Sequence, residues 1–148
     1  MKKWFKRLKN QAGMTLVELL AVVVILGIVA AIAVPSIGNI IDNSKKDAHV
    51  SNALLIINAT QLGVTTNALE KGEKYTLADL VNAGVLAAVP KDPDSDTSSY
   101  AVESFVKSND NGKISIFLTG SDRRIGTDAK PATQDEINDK GRNIVKDK

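Results

Sequence analysis

The sequence contains no cysteine, and this absence excludes several kinds of site at once. Without thiols, the chain forms neither disulfide bonds nor thiolate metal sites. Any part of it that lies outside the cell must therefore be held together by side-chain packing and hydrogen bonds. The 148 residues suit one domain with a modest hydrophobic core.

Acidic residues are absent from the first 13 positions, although five basic residues lie there: Lys2, Lys3, Lys6, Arg7 and Lys9. The formal net charge of the chain is +2, but residues 14–148 hold 14 basic against 17 acidic side chains. The positive charge therefore belongs to one short segment. It does not indicate a nucleic-acid-binding surface.

Residue patterns that carry catalysis are also missing. The chain has a single histidine, His49, and the sequence contains no histidine, acid and nucleophile set, no glycine-rich phosphate loop and no metal-ligand spacing. We therefore expect no enzyme activity and no cofactor, with calcium as the one exception considered below. We expect His49 to lie on a helix, at the surface or partly covered.

What the chain does have is a long apolar run that ends at Pro35. Residues 14–34 comprise 21 positions. At about 1.5 Å per residue, a helix of this length spans the ~30 Å hydrocarbon core of a bilayer. The basic residues before it predict that residues 1–13 stay in the cytoplasm and that the rest lies outside. The sequence thus predicts a single membrane-spanning helix over residues 14–35.

Glu18 lies just inside this apolar run. A carboxylate there costs about 2–3 kcal/mol, so such residues usually have a partner or a task. If the chain is cut after Gly13, Met14 supplies a new ammonium group four residues before Glu18. The two opposite charges then pair within one subunit or between neighbouring subunits, where the pair would set the register of a polymer.

Three other interpretations of the run stay open: a plain transmembrane anchor, a buried core helix, and a signal peptide cut at Ala31-Ile32-Ala33. Against the signal peptide, the apolar run exceeds the usual ~7–15 residues and opens with glutamate. The length and the basic flank argue against a buried core helix.

The segment Gly13-Met14-Thr15-Leu16-Val17-Glu18, followed by an apolar helix, resembles the processing site of type IV pilins and pseudopilins. Met14 stands where that family usually has phenylalanine, and Pro35 falls where family members place a proline. The resemblance is specific from Lys2 to about Leu62. It implies that a prepilin peptidase cuts between Gly13 and Met14 and methylates the new amine, and that Glu18, Leu16 and Pro35 serve assembly.

Pro35 either ends the membrane helix or bends it. We favour a bent helix that continues to near Thr65, because apolar residues recur at helical spacing beyond the proline. These residues are Ile37, Ile41, Ala48, Leu55, Ala59 and Leu62. We expect this stripe to be covered by a small sheet, which gives an α+β, pilin-like fold.

The globular head is predicted over residues 36–126. Thr76 caps a short helix that Gly84 ends. Two strands, 100–106 and 113–118, flank an Asn-Gly turn and form an antiparallel hairpin. This order resembles the head of major pseudopilins.

Residues 127–148 form a polar C-terminal tail. Thr133 and Glu136 match a capping box for a short helix, and a disordered tail is the open alternative.

Two polar groups in the head are candidate binding sites. Asp92, Asp94 and Asp96 make an oxygen-rich loop of the kind that calcium prefers, and a solvated turn is the simpler interpretation. Some pseudopilins bind calcium in their loops. The pair Arg123-Arg124 is either solvated or contacts phosphate or a neighbouring subunit.

By this resemblance the chain is a prepilin, a single-pass protein of the cytoplasmic membrane that polymerises into a surface filament. Its implied partners are copies of itself, prepilin peptidase, an assembly platform, minor pilins and membrane lipid. The alternatives are a type II secretion or competence pseudopilin, the latter with DNA as a partner, and a monomeric membrane-anchored binding domain. The lack of cysteine suits secretion pseudopilins and Gram-positive pilins better than many Gram-negative type IV pilins.

Overall fold

The computed structural model describes residues 2–109 and 111–148; for residues 2–14 it describes only the backbone. The chain divides into two compact units, Met1–Ile41 and Asp42–Lys148. The first unit is helical, and the second holds all the strands.

Helix α1 runs from Lys2 to Thr65 without interruption. It continues through Pro35, so the interpretation in which the proline ends the helix is wrong. The hydroxyl of Ser36, the residue after the proline, donates to the carbonyl of Ile32 at 3.1 Å. The predicted continuation to near Thr65 is confirmed, whereas a bend at Pro35 stays a prediction.

Over residues 15–41, the part of the first unit whose side chains are described, no apolar side chain is buried. Between positions 15 and 34 every large apolar residue is exposed, for example Leu16 at 66% and Ile32 at 70%. A soluble helix hides such residues on one face. Since these residues surround the whole helix, the segment needs a lipid environment or other copies of itself.

In the second unit, the predicted core stripe of α1 is not the core. Leu55 and Leu62 are 51% and 64% exposed, and Ala48 and Ala59 are half-buried. The buried face lies beside it and consists of His49, Ala53, Ile56, Ile57, Thr60 and Val64. Two residues of this face, His49 and Thr60, are polar, so hydropathy alone does not identify the face as buried. The Thr60 hydroxyl donates to the Ile56 carbonyl at 2.8 Å and is thereby satisfied.

The connection after α1 forms strand β1, Lys74–Thr76, and helix α2, Leu77–Asn82. The Thr76 cap is confirmed: its hydroxyl accepts from the Asp79 backbone N–H at 3.2 Å, and the Asp79 carboxylate accepts from the Thr76 N–H at 2.8 Å. Gly84 adopts φ +72° just beyond the helix, as predicted for a helix stop.

The predicted hairpin is confirmed as β2, Phe105–Ser108, and β3, Ile114–Thr119, paired antiparallel. Its first strand begins later than predicted, because residues 101–104 form a turn closed by the Ser104 N–H on the Ala101 carbonyl at 2.9 Å. The outer strand β1 pairs with β2.

Residues 123–148 complete the sheet instead of forming a disordered tail. Strand β4, Arg123–Ile125, pairs with β3 and with β6, Val145–Asp147, while β5, Ala132–Thr133, pairs with β3 elsewhere along its length. Helix α3, Gln134–Lys140, begins at the predicted capping box and leads through a short 3-10 turn, Gly141–Ile144, into β6. These elements contribute Ile125, Ile137, Ile144 and Val145 to the core.

In the C-terminal part of the head, Gly126 is the position where an added side chain would be tolerated least. Its φ is +72°, and a Cβ there would lie 2.7 Å from the Ala132 nitrogen and 2.9 Å from the Ile116 carbonyl oxygen. Gly112 has a similar φ, +73°, but open space around it.

We expect Gly126→Ala to lower the free energy of unfolding by about 2–4 kcal/mol, because left-handed strain and overpacking add. Gly112→Ala, the matched control, loses about 1–2 kcal/mol from strain alone. Urea unfolding of both variants tests this, and equal losses would contradict the steric argument.

Candidate functional site

The predicted processing residues lie on the continuous helix α1. The side chain of Met14 lies outside the described part of the chain, and for Gly13 only the helical backbone is described. Leu16 and Glu18 are both exposed on the helix surface. The side chains of Leu16 and Glu18 are therefore accessible to other molecules and are not covered by the described part of the chain.

Glu18 is an exposed carboxylate that stands among exposed apolar side chains. Across residues 15–109 and 111–148, no ion pair or hydrogen bond to its side chain is found. A carboxylate that enters an apolar environment needs a compensating cation or donor. Residues 15–109 and 111–148 of this chain supply no such group to Glu18.

The helix around Glu18 is long and apolar enough to cross a membrane, and its apolar window has no part buried within the chain. Both properties agree with the prediction over residues 14–35. The segment can pass from lipid into a bundle of like helices, since both surroundings cover its apolar surface.

A second polar site lies in the head, where His49 is 1% exposed. The prediction of a surface or partly covered histidine is therefore wrong. Its Nδ1 lies 2.9 Å from the Tyr100 hydroxyl, and its Nε2 lies 3.0 Å from a carboxylate oxygen of Asp94. The Asn52 amide donates to the same hydroxyl at 3.2 Å. All these groups are satisfied when Tyr100 donates to Nδ1 and Nε2–H donates to Asp94. Burial raises the pKa of the Tyr100 hydroxyl, so it stays a neutral donor.

Arg123 joins this network from strand β4. It donates to Asp94 at 2.6 Å, to Asp147 at 3.3 Å, and to Asp42 of helix α1. The predicted solvated arginine pair is thus half wrong: Arg123 is half-buried and paired, whereas Arg124 is exposed. Arg123 therefore ties three segments of the chain together through one guanidinium group.

Asp92 holds the loop from the inside. Its side chain is fully buried, and its two oxygens accept backbone N–H groups of Asp94 and Ser121. Burial by itself would raise the pKa of Asp92, but the hydrogen bonds from Asp94 and Ser121 outweigh it and lower the pKa below 3.8. Asp92 is therefore a structural carboxylate that stays ionised at neutral pH.

The predicted calcium trio is not assembled as expected. Ligand atoms of His49, Asp92 and Asp94 all lie within 4.8 Å of one another, whereas Asp96 is exposed and outside this group. A group with a histidine nitrogen is less suited to calcium, which prefers oxygen ligands. Arg123 and Lys45 already lie at Asp94 Oδ1, at 2.6 and 3.6 Å.

Sequence patterns gave no signal for this network. His49, Asp94 and Arg123 are separated by dozens of positions, and their partners include Asp42 and Tyr100. The sequence shows that acidic residues cluster in this loop. It does not show that Lys45, His49 and Arg123 lie next to Asp94.

These features together define a class of protein: a pilin-like filament subunit, with a prepilin-type N-terminal helix and a small α+β head. Residues 8–34 match the prokaryotic N-terminal methylation motif. This match covers the last six residues of the basic leader, the cleavage segment and the apolar run.

Similarity to proteins of known role extends over most of the chain. Type II secretion system core protein G of Vibrio cholerae is 27% identical over 133 residues, which cover 82% of this chain and 88% of that protein. The protein of the same name in Aeromonas hydrophila is 28% identical over 135 residues, which cover 81% and 90%. No solved structure matches the chain significantly. The chain therefore carries the prepilin-type methylation motif and is similar to secretion pseudopilins over most of its length, which supports the role of a filament subunit.

Proposed function

We propose that this chain is a shaft subunit of a secretion-type pseudopilus. It enters the cytoplasmic membrane with residues 1–13 inside and the head outside. Prepilin peptidase cuts between Gly13 and Met14 and methylates the new amine. The mature subunit then leaves the lipid and polymerises through its apolar helix, with an assembly platform and minor pseudopilins as partners.

The observation that carries this proposal is Glu18. It is exposed on an apolar helix with no cation among the described residues. In a bundle, the amine of one subunit at Met14 neutralises Glu18 of its neighbour, and each such pair fixes the axial register. Burying the two charges together costs far less than burying either alone.

The secretion machine is favoured over other pilus systems by two observations. Both relatives are core proteins of type II secretion and align along most of their length. Cysteine is absent, as expected for a pseudopilin. DNA is not a favoured partner of the head, because residues 42–148 hold 14 basic against 16 acidic side chains. A structural role without catalysis fits the same class.

The acidic loop is proposed to work without a metal ion. Arg123, Lys45 and His49 surround Asp94, and backbone N–H groups satisfy Asp92. Protein groups thus supply the charge and the donors that calcium would supply in an oxygen-rich loop.

Intact-mass analysis of protein purified from its own membrane tests the proposal. We expect a mature chain that starts at Met14 with one added methyl group. A chain that starts at Met1 would support a plain anchor, and one cut after Ala33 would support a signal peptide. Either result would refute the proposed processing and assembly.

A further inference from the structure

A cleft rimmed by cations lies on the C-terminal side of the head. It has a volume of about 350 Å³. Gly126, Ala132 and Ile144 line its floor, and four basic residues surround it: Arg124, Lys130, Lys140 and Lys146. We call this feature the basic cleft.

Two of the four cations oppose each other directly. Arg124 of β4 and Lys146 of β6 are cross-strand partners in an antiparallel pair. Like charges in this position repel and destabilise a sheet. Across residues 15–109 and 111–148, neither side chain forms an ion pair. The pair therefore lacks the counter-charge that would relieve its repulsion.

The carboxylate of Glu136 lies in the same cleft but leaves it positive. One of its oxygens accepts the backbone N–H of Thr133 at 3.2 Å. The other lies 3.9 Å from both Lys130 and Lys140, at the limit of an ion pair. With four cations and one carboxylate, the basic cleft has a formal charge of +3. Its chemistry suits a group that combines a carboxylate with an apolar part.

The head presents such a group on the turn formed by residues 101–104. Val102 is 89% exposed, and Glu103 next to it is exposed and without an ion pair among the described residues. The turn is held in place, because the Ala101 N–H donates to the Thr119 carbonyl at 2.9 Å and the Ser104 hydroxyl accepts from the Thr119 N–H at 3.0 Å. Order in the turn lowers the entropy lost on docking.

The turn and the basic cleft lie on opposite sides of strand β3. Thr119 pairs with Arg124 of β4 on one side and binds Ala101 on the other. A turn that docks in a basic cleft therefore belongs to a different copy. A contact between two different surfaces of like subunits is heterologous, and it produces an open filament when its rotation does not close.

We propose that the 101–104 turn of one copy docks in the basic cleft of the next copy along the filament. Val102 covers the floor at Ala132 and Ile144, and Glu103 pairs with Arg124 and Lys146. This contact rests on the filament function proposed above and adds a head-to-head interface to the helix bundle. A nucleic acid is a poorer occupant, because none of the residues that line the cleft is aromatic and the head carries more acidic than basic residues.

Charge reversal in the full-length chain tests the contact. We expect Glu103→Arg, and separately Arg124→Glu with Lys146→Glu, to lower the yield of sedimented filaments about tenfold. Combining the three changes restores the yield, because the opposite charges face each other again. Glu70→Arg and Lys107→Glu, exposed residues outside both surfaces, serve as matched controls and leave the yield unchanged.

Because the chain has no cysteine, a disulfide provides a second, direct readout. With Glu103→Cys and Lys146→Cys together, mild oxidation of filaments yields a ladder of crosslinked oligomers, and each single variant yields none. Unchanged filament yield in Glu103→Arg would refute the contact, as would failure of the combined variant to restore it. If the Arg124→Glu, Lys146→Glu variant loses filaments and Glu103→Arg does not, the occupant of the cleft is not the turn. The same conclusion follows if the unmodified protein and Glu103→Arg are retained on immobilised DNA and the cleft variant is not. Absence of the methylated Met14 terminus would refute the proposed function instead.

Discussion

We expect Glu18→Val to abolish filament formation and to leave the removal of residues 1–13 unchanged. The variant leaves the amine of Met14 without its counter-charge when helices leave the lipid for the bundle. An uncompensated charge in apolar surroundings costs about 2–3 kcal/mol per subunit. This corresponds to about a 30- to 150-fold loss at each association step. Shearing and sedimentation of filaments, with intact mass of the membrane-bound subunit, measure the two effects separately.

Glu70→Val is the matched control for this experiment. Glu70 is also an exposed glutamate, but it lies in the head. Its replacement removes the same charge without touching the apolar helix, so filaments form normally. A normal filament yield from Glu18→Val would show that the carboxylate has no role in polymerisation.

Asp92→Ala is expected to lower the free energy of unfolding of the head by about 3–5 kcal/mol. The change removes the acceptor of two part-buried backbone N–H groups, those of Asp94 and Ser121, and each orphaned donor costs up to about 1–3 kcal/mol. Urea unfolding of the full chain in detergent, followed by near-ultraviolet circular dichroism of Tyr75 and Tyr100, measures the loss. Asp96→Ala, an exposed acid of the same loop, changes stability by less than about 0.5 kcal/mol.

The pH dependence of the free energy of unfolding provides a second test of Asp92. The folded pKa of Asp92 lies below the ordinary 3.8, so its charged form stabilises the head above that pH. This stabilisation is lost as the pH falls from 3.8 through the lower folded value. Asp92→Asn removes that part of the acid sensitivity. Unfolding curves with the same acid sensitivity in both proteins would contradict the argument.

The N-terminal half was predictable because its signals are local. Charge asymmetry over 13 residues, an apolar run of bilayer length and one acidic residue in it are properties of adjacent positions. The short caps at Thr76 and Thr133 were predictable for the same reason, since each depends on a partner three residues away.

The buried face of α1 was mispredicted because hydropathy describes each side chain by itself. It does not include the hydrogen-bond partners that allow a polar side chain to be buried. Leu55 and Leu62 look like core residues and are exposed, whereas His49 and Thr60 look like surface residues and are buried. His49 is accommodated by Tyr100 and Asp94, which lie 51 and 45 residues away in the sequence. A helical period cannot reveal contacts over that distance.

Helix α1 begins at Lys2, so the peptide bond between Gly13 and Met14 lies inside a helix. A protease needs the substrate backbone drawn out to reach the scissile carbonyl, and in a helix that carbonyl is tucked against the next turn. If the chain is cut there as proposed, local unwinding must precede the cut. Glycine makes this opening about 1 kcal/mol easier than alanine would. Under the proposed processing, Gly13 is the easiest point of the helix to unwind next to the cleaved bond, and we expect the ease of that unwinding to set how fast the subunit matures.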